Sequence, residues 1–487
     1  MLTVDQIKTY IDNDKLNRKK QQAQEGLRYY EGEHDIKNYR VFFFDANGQL
    51  KEDKTKSNIR ISHPFFTELV DQAVQYMLSG KDGFVKSDIP ELQAFMDEYF
   101  NYNEDFISEL YEILTGCIVK GLEYAYAYKR KDEKTGFQCA DSIGVIEVKE
   151  KETDEQCEYV IYWYVDRIGK DNKRITRIQV WDDKQTYFYA QEDDGDIKLD
   201  KSQEHNPRPH ILYKKDGDEK TYFEGFGFIP FFRIDNCKKQ RSDLKPIKAL
   251  IDDYDLMSCG LSNNLQDTVE ALHVVKGFQG DDLDELMMNI KAKHHIGVDE
   301  NGGVEVHTID VPYQARQAKL ELDEKNIYRF GMGFNSAQIG DGNITNIVIK
   351  SRYALLDLKC NKLEIRLKQF MRKLLKVVLA EINEEHETDY QQKDVYFNFE
   401  REVMTNASDN MQIELTEAQK RQTEITTILN IRDIIGDEEA LKLICEQLDI
   451  NYEDIRANLP AAVPGTDVAG AQNILSNLPT EEVIANE

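Results

Sequence analysis

Between Asn346 and about residue 383 the chain contains neither glycine nor proline, and within that stretch apolar residues recur at alternating steps of four and three. The series runs Ile349, Tyr353, Leu356, Cys360, Leu363, Leu367, Phe370, Leu374 and Val377. Only one long helix satisfies that spacing, with an apolar seam suited to packing on another long helix. From Asn343 to Val378 there are nine Lys or Arg against two Asp or Glu. The side away from the seam is therefore basic. Acidic faces of neighbouring helices are a better expected partner for it than DNA, because the seam implies deep packing.

That basic helix sits in an acidic chain. Of 487 residues, 62 are Lys or Arg and 90 are Asp or Glu, a formal charge of -28. Tight nucleic-acid binding draws on neutralised phosphates, so most of this surface would repel DNA. The charge argues against a regulator or a tight binder, and does not exclude a conduit past which DNA slides without sticking. The length allows two to four domains. The seven cysteines are scattered, with no CxxC pair, so neither a disulfide framework nor a zinc site is expected, and most should be small buried hydrophobes. No apolar run reaches the ~20 residues of a membrane span. The start, Met1-Leu2-Thr3-Val4-Asp5, shows no basic-then-apolar leader, so the chain is expected to stay in the cytoplasm where it is made, away from membranes.

Residues 3–30 read as helical, with a basic patch at Lys15, Arg18, Lys19 and Lys20. A helix from Ser62-His63-Pro64 to Gly80 follows, then helices over 90–100 and 103–119. From about 122 to 235, runs such as Tyr159-Val160-Ile161-Tyr162-Trp163-Tyr164-Val165 alternate with turn signals and predict an antiparallel meander. Helices are expected over 243–268 and 312–330. Between them the pattern predicts a compact insert: a strand at 269–276, a helix at 281–293, and strands at 294–298 and 304–309 around Asn301-Gly302-Gly303. A strand over 394–403 and two or three helices over 407–450 complete the chain. The tail from 459 is rich in Ala, Pro, Asn and Gly and is expected to be mobile. The fold class is α+β.

Catalytic signatures are missing. There is no GxxxxGK[ST] loop, GxSxG, HExxH or HRD, so a motor of the phosphate-loop class is not expected. His294-His295 would point to opposite faces of a strand. Asp193-Asp194-Gly195-Asp196 lacks the spacing of a calcium loop and reads as a hairpin turn. Gly225-Phe226-Gly227 and Gly331-Met332-Gly333 complete no nucleotide-binding unit and read as turns. Acidic pairs such as Asp252-Asp253 and Asp281-Asp282 arise by chance among 90 carboxylates. No cofactor or metal is expected.

Four stretches, in order, resemble the portal proteins of long-tailed phages of Gram-positive bacteria. They are Tyr29-Tyr30-Glu31-Gly32-Glu33-His34-Asp35-Ile36; Asn58-Ile59-Arg60-Ile61 leading into Leu69-Val70-Asp71-Gln72-Ala73-Val74-Gln75-Tyr76-Met77-Leu78-Ser79-Gly80; Ile229-Pro230-Phe231-Phe232 leading through Ser242-Asp243-Leu244 and Ala249-Leu250-Ile251-Asp252-Asp253-Tyr254-Asp255 to Ser262-Asn263-Asn264; and Ile349-Lys350-Ser351-Arg352-Tyr353-Ala354-Leu355. The resemblance implies a portal fold and a ring of about twelve copies closed by cyclic symmetry. It implies a wing over 1–242, stem helices over 243–268 and 312–330, a clip over 269–311 and a tunnel loop over 331–348. The long helix and strand of the wing would occupy 349–404, a helical crown 405–458, and the mobile tail 459–487. It implies no enzymatic activity. The ring would occupy one capsid vertex of the virion after assembly in the host cytoplasm, for genome packaging and DNA ejection. Its partners would be double-stranded viral DNA in the channel, the terminase large subunit, then a head-completion adaptor, with the major capsid and scaffolding proteins around it.

Within that frame the residues expected to meet DNA are the loop Gly340, Asp341, Gly342, Asn343, Ile344, Thr345, Asn346 and Ile347, whose glycines permit unusual backbone angles. The alternative for this loop is a simple helix–helix connector. Arg316, Lys319, Lys325 and Arg329 are candidates for the lumen of the stem, where they would touch phosphates in passing or pair with carboxylates of the next copy. Asp281, Asp282, Asp284, Glu285 and Met288 would face docking partners at the clip. Two other classes remain open: a metal-dependent nuclease, and a capsid scaffold or adaptor without a channel.

Overall fold

Asn346–His386 forms one helix of 41 residues, and most of the molecule is arranged around its apolar seam. Leu356, Cys360, Leu363, Leu367, Phe370, Leu374 and Val377 are all buried, and Tyr353 packs on the same core. The seam does not meet a second long helix as expected. It lies on the helix Phe65–Met77 and on the strands Thr135–Ala140 and Phe231–Asp235. The helix ends where Glu387 adopts a left-handed φ of 55°. There the Asn383 carboxamide accepts from the backbone N–H of Tyr390 at 2.8 Å and from the Thr388 hydroxyl at 2.9 Å, which ties the turn after the helix back onto its last turn.

The computed structural model describes residues 1–44, 47–54, 56–80, 82–130, 134–151, 156–168, 173–193, 195–214, 221–267, 272–278, 298–307, 313–335, 346–402, 407–448, 450 and 452. Outside these lie the expected helix 281–293 with Asp281, Asp282, Asp284, Glu285 and Met288, the pair His294-His295, the loop residues Gly340, Asp341, Gly342, Asn343, Ile344 and Thr345, and the tail from 459. The chain divides into two units, Met1–Met404 and Thr405–Glu487.

In the first unit the expected N-terminal helix is two, α1 (Val4–Lys15) and α2 (Arg18–Tyr30). Thr3 starts α1 with a capping box to Gln6, and Asn17 caps α2 by accepting from Lys19 N–H, so the chain restarts its helix rather than continuing it. Of the basic patch expected there, Lys15, Arg18 and Lys19 are exposed and Lys20 is not. Lys20 is largely buried, and its ammonium donates to the Val145 and Ile143 carbonyls at 2.7 and 3.1 Å while pairing with Asp14. Lys15 lies over the Trp163 ring, and Lys19 donates to Gln240 at 2.8 Å. Helix α3 (Phe65–Met77) buries Phe66, Leu69, Val70, Ala73, Val74 and Met77. Helix α4 (Pro90–Met96) runs on into a π turn at Asp97–Asn101, and α5 (Glu104–Lys120) stops at Gly121, whose φ is +93°.

The meander is present. Strands β6 (Val145–Val148), β7 (Tyr159–Ile168), β8 (Lys173–Trp181) and β9 (Gln185–Glu192) pair in sequence, all antiparallel. A turn through Asp193 joins β9 to β10 (Lys198–Leu199), β11 (Arg208–Pro209) also pairs with β9, and β12 (Ile211–Lys214) pairs with β13 (Thr221–Glu224). Alternate residues face α1, so Ile161, Ile178 and Val180 bury with Ile7 and Ile11. A separate sheet, order β14-β4-β5, is built from β4 (Leu122–Lys129), β5 (Thr135–Ala140) and β14 (Phe231–Asp235). Tyr126, Trp181 and Phe231 pack ring to ring between the two sheets. Two short pairs close the unit: β1 (Phe42–Phe44) with β2 (Leu50–Glu52), and β3 (Val85–Ser87) with β17 (Val395–Phe397). The strand expected over 394–403 is thus only three residues long.

Helix α6 covers Lys248–Asp267, and residues 243–247 are a turn rather than its first turn. Helix α7 covers Tyr313–Gly331, and the long helix Asn346–His386 is α8. In the insert, β15 (Leu272–Phe278) pairs antiparallel with β16 (Val298–His307). Asn301-Gly302-Gly303 does not separate two strands. Register moves from Lys276↔Gly303 to Phe278↔Val298, so the extra residues are taken up as an irregularity within one strand. In the second unit Ala407–Asn430, Arg432–Ile435 and Asp437–Gln447 are helices that pack on one another and bury Ala440 and Cys445. All seven cysteines are free, four of them buried. No helix of the described residues is long and apolar enough to cross a membrane.

Candidate functional site

Helices α6 and α7 pack side by side and flank the insert, and two polar staples cross between them. Lys319 on α7 donates to Asp253 on α6 and to the buried Asp323. With its side-chain oxygen turned toward Arg316, Asn264 accepts from the guanidinium at 2.6 and 2.8 Å. Two of the four expected lumen cations are therefore engaged within the pair. Lys325 and Arg329 are exposed and make no ion pair among the described residues.

The foot of α7 is fixed on α3. A Cβ at Gly331 or Gly333 would come within 2.6 or 2.0 Å of the Leu69 side-chain methyls, so a larger residue at either position would have to displace that side chain. Gln72 and Phe334 exchange two hydrogen bonds, at 2.8 and 3.0 Å, and the Tyr328 hydroxyl donates to Glu68 at 2.6 Å. Phe334 stacks on Tyr353 of α8 at 4.6 Å. Gly331-Met332-Gly333 is thus a packing turn, as read. Asn346 and Ile347 open α8, and the other six residues of the expected loop precede it outside the described residues.

The foot of α6 is held by charge. Lys248 pairs with Asp35 at 2.6 Å, Asp252 at 2.8 Å and Glu25 at 3.7 Å. Burial disfavours charge at Asp35, but bonds from Lys248 and Arg28 outweigh it and hold the carboxyl down to about 2. The Tyr29 hydroxyl donates to Asp252. Asp252 and Asp253, read as a chance pair, thus serve two different contacts, one to the N-terminal segment and one to α7.

Deeper in, Asp255 is completely buried. Its Oδ2 takes His34 Nδ1–H at 2.6 Å, and its Oδ1 takes His63 Nδ1–H at 2.7 Å and the His63 backbone N–H at 3.0 Å. The Nε2 of His34 faces the Tyr29 carbonyl at 3.2 Å, and its ring stacks on Tyr29. Burial alone would raise the Asp255 carboxyl. The bonds from His34 and His63 more than offset it, and its pKa is lowered. Sequence reasoning missed this clamp. Ser258 Oγ lies 3.4 Å from His63 Nε2, so Ser258, His63 and Asp255 follow the order of an acyl-transfer relay. The hydroxyl contact is long, and Asp255 is shared with a second histidine. The arrangement is built to tie segments together. Among the described residues no three His, Cys, Asp or Glu side chains converge as metal ligands would.

On α8 the expected basic face is present. Lys359 pairs with Asp243 at 3.0 Å and Lys368 with Glu364 at 2.7 Å. Arg401 lies against Glu364 and donates to Asn361. Lys362, Arg372, Lys373 and Lys376 are exposed and carry no ion pair among the described residues.

The family described as phage portal protein, SPP1 Gp6-like, matches residues 9–451. A portal protein of Bacillus phage SPP1 is 29% identical over 349 residues, which is 71% of this chain and 67% of that protein. A portal protein of Clostridium phage phiCD119 is 25% identical over 475 residues, covering 93% of this chain and 98% of its own length. Among solved structures, a chain from the neck of the native GTA particle computed with C12 symmetry is similar over 78% of this chain and 89% of its own, at 10% identity and a TM-score of 0.38.

Proposed function

Because this chain belongs to the phage portal proteins of the SPP1 Gp6-like family, and is a subunit of the ring in the phage head-to-tail connector, we propose that about twelve copies close around an axial channel by cyclic symmetry. Viral DNA enters the capsid through that channel during packaging and leaves through it at ejection. The family match across residues 9–451 carries this reading. In it, α6 and α7 are the stem, 269–311 the clip, 1–242 with 349–404 the wing, and 405–458 the crown.

The ring itself performs no bond chemistry. Duplex DNA carries a charge every ~1.7 Å of axis, and a chain with a net charge of -28 keeps it off the walls. Lys325 and Arg329 offer brief phosphate contacts, and the loop Gly340–Ile347 is the tip that touches DNA. The clip residues Asp281, Asp282, Asp284, Glu285 and Met288 meet the terminase large subunit first and a head-completion adaptor later, a swap that favours a polar interface of moderate size. The ring would assemble in the host cytoplasm with the capsid and scaffolding proteins and remain in the virion. ATP hydrolysis would belong to the separate motor.

The test is packaging by phage whose portal lacks residues 340–347. Capsids that assemble but fill poorly, or fill and fail to eject, support the reading. Normal filling and ejection would count against it. Divalent-metal-dependent cleavage of DNA by the purified protein would favour the nuclease alternative instead.

A further inference from the structure

The hairpin β1–β2 stands apart from the core. Phe42 is 53% exposed, Phe43 45%, Phe44 73% and Leu50 58%. Every residue of both strands is exposed, and none of these phenylalanines belongs to a core cluster. A two-stranded ribbon alone in water is marginal at best. Three consecutive phenylalanines put on the order of 300 Å² of apolar surface into solvent, a patch of the size that marks an interaction site.

The root of this hairpin, by contrast, is rigidly held. Asp255 binds His34 before it and His63 after it. Ile59 N–H donates to Asn263 at 2.6 Å, and Ile61 exchanges contacts with Cys259 at 3.2 and 3.4 Å. Both ends of the segment are thus anchored to α6, and what projects is an arm with a fixed base.

We propose that this arm docks on the next copy of the chain in the ring, which rests on the portal reading above. Three observations select a second copy. A ring needs a heterologous interface, in which one surface meets a different surface of its neighbour. The same chain offers apolar side chains for the arm to meet, because Leu256 on α6 and Leu322 and Phe330 on α7 are large, apolar and exposed. Residues 39–60 contain five Lys or Arg and three Asp or Glu, a charge of +2. Subtracting +2 from the total of -28 leaves -30 for the rest of the chain, so the arm carries the sign opposite to the body of any other copy. The phenylalanines lie against the α6–α7 pair of the neighbour, and the arm's own root, on its own α6, links each docking event to the next subunit.

The test replaces Phe42, Phe43 and Phe44 together with serine and compares the chain with its parent by native mass spectrometry and negative-stain imaging. The parent should form rings. The variant should keep its circular-dichroism spectrum while its ring fraction falls at least tenfold at the same concentration. In the otherwise native chain, a photoreactive benzoylphenylalanine in place of Phe43 should crosslink to residues 248–331 of the neighbouring copy. Rings formed by the variant as readily as by the parent, or crosslinks confined to the arm's own chain, would overturn the inference. A parent that never forms rings would overturn the portal reading beneath it as well, so the two failures are told apart.

Discussion

The carboxylate of Asp255 accepts a hydrogen bond from His34 at 2.6 Å, and neither side chain reaches solvent. One residue of α6 thus holds the end of α2, and through His63 it also holds the entry to α3. Asp255→Asn removes the charge and one good acceptor at a buried site, where losing one member of a charged pair costs roughly 3 kcal/mol. Chemical denaturation at pH 7 should show that loss. Because the folded carboxyl is held below its ordinary value, its contribution is present above about pH 4 and is lost as pH falls through the folded pKa. The gap between parent and variant should close below that pH.

His210 offers a second pH test, of opposite chemistry. Burial, with its ring stacked on Trp181 at 5.3 Å, pushes its pKa down to about 4. The unfolded chain therefore binds one more proton between about pH 4 and 6.5. The neutral ring's contribution is complete above about pH 6.5 and is lost as pH falls to about 4. His210→Phe should flatten this part of the stability curve by about 2 kcal/mol, allowing for partial exposure.

Helix α2 crosses α5 at Gly26, where a Cβ would sit 2.1 Å from the Val119 carbonyl oxygen. Gly26→Ala should lower stability by about 2 kcal/mol or more, because backbone rather than a side chain must yield. Gly303→Ala is the control. Nothing lies within 4 Å of the added atom, and thermal melts should be nearly unchanged.

The stem cations should separate by role. Lys319 neutralises the buried Asp323, so Lys319→Ala should cost about 1–2 kcal/mol in a denaturant titration through the unpaired acid. Lys325→Glu with Arg329→Glu should leave the melting temperature unchanged and reduce the yield of DNA-filled capsids several-fold. Equal stability losses from both variants would contradict the assignment.

The long helix was legible in advance because its seam is local. Leu356, Leu363, Leu367 and Leu374 lie within a few turns of one another, and spacing alone puts them on one face. Its partners were not legible, because nothing between residues 346 and 383 says that α3 and two strands, rather than another helix, would cover the seam. The break between α1 and α2 hinges on the Asn17 side chain capping Lys19 N–H, a contact that competes with ordinary helical continuation and is invisible in periodicity. Lys20 was misread as surface because its charge is spent on carbonyls more than a hundred residues away. The same distance hid the clamp. His34, His63 and Asp255 fall inside the stretches that carry the family resemblance, yet no spacing links them, and only the fold brings one carboxylate between two imidazoles.

The most direct measurement of the central claim is cryo-electron microscopy of the purified full-length protein. The expected particle is a closed ring of about twelve copies with cyclic symmetry, an open axial bore that admits duplex DNA, and α6 and α7 lining it. A particle without a bore under every assembly condition, or a ring whose bore is lined by other elements, would contradict it.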